Sequence, residues 1–327
     1  MIHSPIYSRL LRCGHSVMVA LHVVTLSVRV QIPLVTPKQF ISKVMKTSYH
    51  ENRWTLLVDE NINNLSRDDI HEVCRLVLKN TVVVFKQQQL TEQQELTFCK
   101  TIGQVMPTLS KWTTDVSLSN GIIRVSGDKN QNGDQGLFPH KEQLDWHSDF
   151  ASMKKRKPLV WLYGAKGTAG SRTSWLNTNL AYKDLSDQLK ETIKDIKIIC
   201  GFERGRFSPS PYFTEHVNYD NPIQMLQTNE EGLQGIFFPW LQTFGFEGYS
   251  QEDFKSFEKE LLDHMVQEKY MYHHDWQDGD VVIADEWLSL HKRWAFEGIE
   301  SRTIHRINFT HYEVYGSVAE HGLLHRS

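Results

Sequence analysis

His147-Ser148-Asp149 sets an imidazole and a carboxylate two residues apart. In a strand those positions share a face, so the two side chains can grip one metal ion. Alone the pattern says little. With 16 His and 39 Asp and Glu in 327 residues, random placement gives about two His-x-acid matches. The chain has four: His140/Glu142, His147/Asp149, His273/Asp275 and His311/Glu313. A facial triad also needs a second, distant His, and a 2-oxo acid co-substrate needs a cation for its far carboxylate. His147/Asp149 is followed by both, His291 in LSLHKRW and Arg306 in TIHRINF. Residues Glu297 to Ser301 read as a turn between them, and a hairpin centred there sets His291 and Arg306 side by side on paired strands. His140/Glu142 shares these downstream partners and is the runner-up. His273/Asp275 abuts the Asp278-Gly279 turn, and His311/Glu313 is followed only by His321 and His325.

Two imidazoles and one carboxylate occupy one face of an octahedral Fe(II) and leave three cis positions open. 2-Oxoglutarate takes two through its keto oxygen and adjacent carboxylate, and O2 takes the third. The remote carboxylate, deep in a pocket, calls for a planar bidentate donor, which Arg supplies better than Lys. Arg306 is the residue expected there.

These residues need a scaffold that brings distant segments together. Ser66 with Asp69, and Thr91 with Gln94, read as capping boxes that open two helices, the second ending near Gly103. Thr81 to Phe85 (TVVVF) is a continuous β-branched run, expected as a buried strand. Pro107 to Pro139 reads as loop, rich in Ser, Asn, Asp and Gly, and leads into LDWHSDF. LVWLYGA, DVVIADE and TIHRINFT read as further strands. Ser250 opens a helix with Phe254, Phe257, Leu261 and Met265 on one face. Many short strands with peripheral helices predict a mainly β, α+β fold of jelly-roll type. The segment from Gly201 to Gly248, rich in Pro, Gly and aromatics, is expected as a lid insertion or as aromatic cover for a sheet. Lys141, Gln143, Trp161 and Tyr163 are further candidates to line the pocket.

Composition is that of a globular chain, 40% hydrophobic and 23% charged, with length for one large domain. The net charge of -3 and the dispersed basic residues argue against nucleic acid as a partner. Cys13, Cys74, Cys99 and Cys200 form no CxxC pair, which argues against a disulfide framework or structural zinc and fits a reducing cytoplasm. Residues 1–44 differ from the rest, with five basic residues and no acidic one. The apolar run Val17 to Val28 is too short and too interrupted for a membrane span. A signal or transit peptide shares this composition. The preferred expectation is that Met45 is the start and the preceding segment is a non-native extension. Val-Arg-Val-Gln-Ile-Pro can be written as GTT CGG GTT CAA ATC CCG, which contains the stem and loop of a tRNA T-arm. Residues 45–327 are then a single domain.

From about Trp54 to Thr310 the chain resembles the taurine dioxygenase (TauD/TfdA) family of 2-oxoglutarate oxygenases. The resemblance is carried by VVVFKQQQLTEQQELTFCKTIGQV, DWHSDF, SRTSW and DWQDGDVVIADEWLSLHKRWAFEGIESRTIHRINF. It implies a double-stranded β-helix, Fe(II) and 2-oxoglutarate, with metal ligands at His147, Asp149 and His291 and the co-substrate arginine at Arg306. It also implies Thr173, in TSW, as a second contact to the 2-oxoglutarate carboxylate, although Gly167 to Arg172 departs from the family's usual Gly-Gly-Asp. Relatives that halogenate carry Gly where Asp149 stands, so hydroxylation of a small molecule is expected. The alternatives are a non-catalytic jelly-roll binding protein and a cupin-like metal protein without 2-oxoglutarate.

Overall fold

The computed structural model describes residues 12–13, 16–17, 45–106, 121–130, 132–149, 151, 159–202, 216–217, 219–298 and 301–311. It divides into two compact units, Met1–Lys43 and Val44–Ser327. In the first, the described residues are two short strands, Arg12–Cys13 and Ser16–Val17, paired antiparallel. The expectation that residues 1–44 are a non-native extension otherwise falls outside the described residues.

The second unit opens with β1 (Thr47–Tyr49) and β2 (Leu56–Val58), then α1 (Arg67–Asn80), β3 (Val82–Phe85), α2 (Glu92–Ile102) and β4 (Gly103–Val105). β5 (Ile123–Ser126), β6 (Leu144–His147), β7 (Leu159–Lys166) and β8 (Arg172–Asn177) lead to helices α3 (Thr178–Lys183) and α4 (Asp187–Ile193). Next come β9 (Lys197–Phe202), β10 (His216–Val217), β11 (Ile223–Gln224), β12 (Leu226–Thr228), β13 (Gln234–Ile236), β14 (Thr243–Phe246) and α5 (Gln251–Met265). The chain closes with β15 (Met271–Asp275), β16 (Val281–Asp285), β17 (Ser289–Arg293) and β18 (Thr303–His311). Both expected capping boxes are formed: Ser66 Oγ accepts the Asp69 N–H and Thr91 Oγ1 the Gln94 N–H, each reciprocated by the acid or amide side chain.

Two sheets define the fold. The larger runs β1-β2-β3-β16-β7-β18-β4, with β5 also on β18, and the smaller runs β15-β8-β17-β6. Successive strands alternate between them: β7 lies in the larger sheet, β8 and β15 in the smaller, β16 in the larger, β17 in the smaller and β18 in the larger. This is a double-stranded β-helix, and it places three apolar layers by the two-residue period of strands. The outer face of the larger sheet (Val83, Phe85, Trp161, Ile283, Phe309) packs on α1 and α2 through Val73, Val77, Leu96 and Phe98. Between the sheets lie Val84, Val160, Val282 and Ile304 against Trp175 and Tyr272. The outer face of the smaller sheet (Leu176, Leu290) joins Ile198, Phe238, Phe246, Phe254 and Leu261.

Three expectations are corrected. The stretch read as loop from Pro107 to Pro139 contains β5, whose residues Ile123 to Ser126 pair with Arg306 to Thr303 of β18. Its short run, flanked by Gly121 and Gly127, lacks the length that marks a strand in sequence. His291 and Arg306 are not on a hairpin, because β17 and β18 belong to different sheets; the chain crosses from one to the other after Arg293, and the two residues approach across the interior. Trp161 and Tyr163 belong to the helix-covered layer, with Trp161 Nε1 donating to Glu95 of α2 at 3.0 Å. Leu162, between them, lines the pocket instead. Lys141 and Gln143 are exposed. Of the aromatics in residues 201–248, Phe237, Phe238 and Phe246 are core. Tyr212 and Phe213, with the rest of residues 203–215 on which a lid would rest, lie outside the described residues.

Candidate metal centre

His147 ends β6 and His291 stands directly opposite it on β17. Two residues further along β17, Arg293 pairs with Leu144, three residues before His147. The bulge that this mismatch creates turns both His147 and Leu144 toward the space between the sheets, although their odd spacing would put them on opposite faces of a regular strand. The imidazole centroids are 4.0 Å apart. Asp149 does not reach them as the next same-face residue of a strand, since β6 stops at His147. The chain turns instead, with the Ser148 N–H donating to Gln242 Oε1 at 3.0 Å and the Asp149 N–H to Glu286 Oε2 at 2.6 Å. The result is a buried cluster in which one ligand atom from each of His147, Asp149 and His291 lies within 4.8 Å of the others.

The polar contacts of both imidazoles run through Nδ1. His147 Nδ1 faces the Asp145 carbonyl at 2.6 Å, and His291 Nδ1 lies 3.2 Å from Glu286 Oε1. Each ring therefore keeps Nε2 for a shared ion. Asp149 Oδ1 accepts from Arg306 Nη1 at 2.6 Å and Oδ2 from Asn308 Nδ2 at 2.9 Å. Burial works against charge on Asp149, but Arg306 and the two histidines outweigh it and hold the carboxyl below its usual range. Burial, with His291 beside it, drives His147 well below the ordinary imidazole value. Burial also disfavours charge on His291, and Glu286 reverses it, raising that group. His147 is thus held neutral beside an ionised Asp149, the pattern that binds divalent metal, whereas Glu286 favours the charged form of His291, which must give up its Nε2 proton to ligate.

A pocket of about 430 Å³, including space open to solvent, adjoins the cluster and is lined in part by His147, Leu162, Thr173, His291, Arg302 and Arg306. Thr173 is buried on β8, and its Oγ1 accepts the Trp276 Nε1–H at 2.9 Å. Arg306 and Asn308 alternate with the outward Ile307 on β18, which is why both meet Asp149. His140 and Glu142 take no part in the cluster. His273 is engaged with Ser174 and Glu268, and Asp275 with Arg172. Glu313 lies outside the described residues.

Arg302 was missed in the sequence reading. It immediately precedes β18, is buried, and donates from Nε to Ser171 Oγ at 2.9 Å. No ion pair to a carboxylate accompanies it among the described residues; its guanidinium lies 5.2 Å from the Phe296 ring, a ring that Arg293 shares at 6.0 Å. Burial, reinforced by Arg293, pushes its guanidinium down to about 9. The available signal was SRTIHR, where two arginines four residues apart compete for one role. Asn308 and Glu286 were also passed over, because an Asn in a strand and a Glu in a turn carry no metal signature.

Comparison with known proteins fits this geometry. A 2,4-dichlorophenoxyacetate dioxygenase of Burkholderia sp. (strain RASC), described as alpha-ketoglutarate-dependent, is 22% identical over 256 residues, 74% of this chain and 86% of that protein. Pentalenolactone F synthase of Streptomyces avermitilis is 21% identical over 259 residues, 73% of this chain and 84% of that protein. The crystal structure of AAD-2 in complex with Mn(II) and N-oxalylglycine superposes with a TM-score of 0.65 at 18% identity, covering 82% of this chain and 98% of that one, and shares the fold. The family described as taurine catabolism dioxygenase TauD, TfdA family matches residues 56–308. The chain therefore belongs to the TauD/TfdA family and is a 2-oxoglutarate-dependent dioxygenase, an oxidoreductase with a metal ion and 2-oxoglutarate as its requirements.

Proposed function

We propose that His147, Asp149 and His291 hold Fe(II), and that the enzyme uses 2-oxoglutarate and O2 to hydroxylate a small-molecule substrate. The observation that carries this reading is the pairing of a buried His-Asp-His cluster with buried guanidinium charge in one pocket. Three ligands on one face suit an octahedral ion with open cis positions. Bound there, iron with 2-oxoglutarate supplies oxidative decarboxylation to succinate and CO2 coupled to hydroxylation of a C–H bond.

The protein's own groups divide the remaining work. Arg306, with Asn308, orients the Asp149 carboxylate. Arg302, buried without a carboxylate partner among the described residues, is where we place the distal carboxylate of 2-oxoglutarate, in place of the Arg306 expected from sequence. Thr173 lines the same pocket, and its hydroxyl, already accepting from Trp276, keeps its own hydrogen to donate to that carboxylate. Asp149 is a carboxylate rather than Gly, which supports hydroxylation over halogenation. The dispersed basic residues support a small molecule rather than nucleic acid as substrate. Among the described residues no helix is long and apolar enough to cross a membrane. The scattered cysteines, with no CxxC pair, support a reducing cytoplasm as the compartment.

Iron per chain after anaerobic reconstitution tests the ligands. His147→Ala and His291→Ala should each lose stoichiometric Fe(II), because a two-ligand remnant forfeits most of the affinity, while His140→Ala keeps it. Retention by His147→Ala together with loss by His140→Ala would transfer the site to the runner-up pair. Succinate release stimulated by candidate small molecules then selects the substrate.

A further inference from the structure

We propose that Glu286 is a positioning residue of the metal centre, one carboxylate that aligns both His291 and the turn bearing Asp149. The inference rests on the metal assignment made above. Glu286 lies in the three-residue turn between β16 and β17 and is buried. The Oε1 atom is 3.2 Å from His291 Nδ1, an ion-pair distance without hydrogen-bond alignment, and among the described residues neither atom has a hydrogen-bond partner, so each is left for the other. The Oε2 atom accepts the Asp149 N–H at 2.6 Å and the Ser148 Oγ–H at 3.1 Å, and the Glu286 carbonyl accepts from Ser148 Oγ at 2.8 Å.

Among the described residues no Lys or Arg is paired with this carboxylate; Arg306 is engaged with Asp149. A buried carboxylate without a cation is costly unless its lone pairs are filled by donors. Here the donors come from two segments that are far apart in sequence, β17 and the turn after β6, and both carry proposed metal ligands. Holding His291 Nδ1 as N–H fixes the tautomer with Nε2 toward the ion and raises its basicity, the action of a carboxylate behind a ligating imidazole. Gripping the Asp149 N–H sets where that side chain begins. The turn itself is rigid: Asp285 Oδ1 accepts the Trp287 N–H at 2.9 Å, and Ser289 Oγ donates to the Asp285 carbonyl at 2.8 Å.

Glu286→Gln preserves shape but not chemistry. Whichever way its amide turns, an N–H2 group faces either the His291 Nδ1–H or the Asp149 N–H, donor against donor. Loss of such a partner typically costs 10–100-fold in metal affinity. Glu286→Asp keeps the charge but is one methylene short, so it should recover part of that loss.

Co(II) is the probe, titrated into the full chain without oxygen, with paramagnetically shifted ring N–H signals followed by NMR. The unmodified protein is expected to bind Co(II) and show two slowly exchanging histidine N–H signals, one from His147 against the Asp145 carbonyl and one from His291. Glu286→Gln is expected to bind about 10–100-fold more weakly and to lose the slow His291 signal, with Glu286→Asp between the two. Unchanged Co(II) affinity with both signals intact in Glu286→Gln overturns the proposal and leaves the metal site standing. A single slow ring N–H in the unmodified protein overturns it without any variant. If the unmodified protein binds no Co(II), the metal assignment falls and this inference with it.

Discussion

The proposed division of labour between Arg302 and Arg306 gives the sharpest test of the site. Arg302 holds a buried charge with no carboxylate partner among the described residues, and burial lowers it from the ordinary guanidinium range to about 9. A depression of that size corresponds to a penalty of about 4 to 5 kcal/mol on the charged form, as an order of magnitude. The folded value lies below the unfolded one, so the penalty is in full force at neutral pH and lifts only as pH rises past about 9. An entering carboxylate offsets it. Each charge-assisted hydrogen bond from the guanidinium is worth roughly 1.5 to 3 kcal/mol. Arg302→Ala should therefore weaken 2-oxoglutarate by at least ~100-fold, about 2.7 kcal/mol. Lys should rescue only in part, because a point charge cannot match the fork. Arg302→Met should leave the melting temperature of the protein without co-substrate unchanged or higher. Arg306→Ala frees Asp149 Oδ1 instead, so its main loss should be iron affinity, with 2-oxoglutarate affinity at saturating iron changed by less than ~10-fold. The assay is anaerobic titration of the Fe(II) protein with 2-oxoglutarate, following the charge-transfer absorption of the chelate, with iron content measured separately. If Arg306→Ala loses 2-oxoglutarate and Arg302→Ala does not, the reasoning from the unpaired guanidinium is refuted and the sequence expectation of Arg306 is restored.

Burial pushes the Asp285 carboxyl from 3.8 up to about 6 despite hydrogen bonds from Asn229 and the Trp287 N–H. Because the folded value is the higher one, stability from the neutral acid is complete below the unfolded value and lost as pH rises through about 6. Asp285→Asn should therefore gain on the parent by up to about 3 kcal/mol between pH 4 and pH 7, read as the difference in melting temperature at the two values; a gain that shrinks with rising pH contradicts this. At Gly103 an added Cβ would sit 1.4 Å from the Thr310 carbonyl oxygen. Gly103→Ala should then force β4 from β18 and cost about 3 kcal/mol or more, visible as a lowered melting temperature, and an unchanged one would deny that pairing.

Local chemistry was legible in the sequence. The capping boxes at Ser66 and Thr91 became helices because a cap depends on residues three apart and little else. VVVF, LVWLYGA and TIHRINFT became strands because their β-branched and aromatic content suits a buried pleat wherever it lies, while Thr81, expected in the first of them, instead caps the end of α1. His147, Asp149 and His291, which the fold brings into one cluster, could be picked out because a metal centre would demand residue types that chance seldom places in that order. Residue type alone could not say which of Arg302 and Arg306 meets Asp149. Strand alternation and the crossing between sheets decide that, and both depend on partners more than a hundred residues away. A one-residue bulge opposite His291 turns His147 inward, and no spacing within LDWHSDF announces it. Glu286 is a turn residue until the fold brings the Asp149 N–H and His291 Nδ1 to its two oxygens. The sequence determined the identity of the donors and the elements that carry them; tertiary structure decided which donors share an acceptor, since burial and hydrogen-bond partnership are properties of segments brought together, not of any one of them.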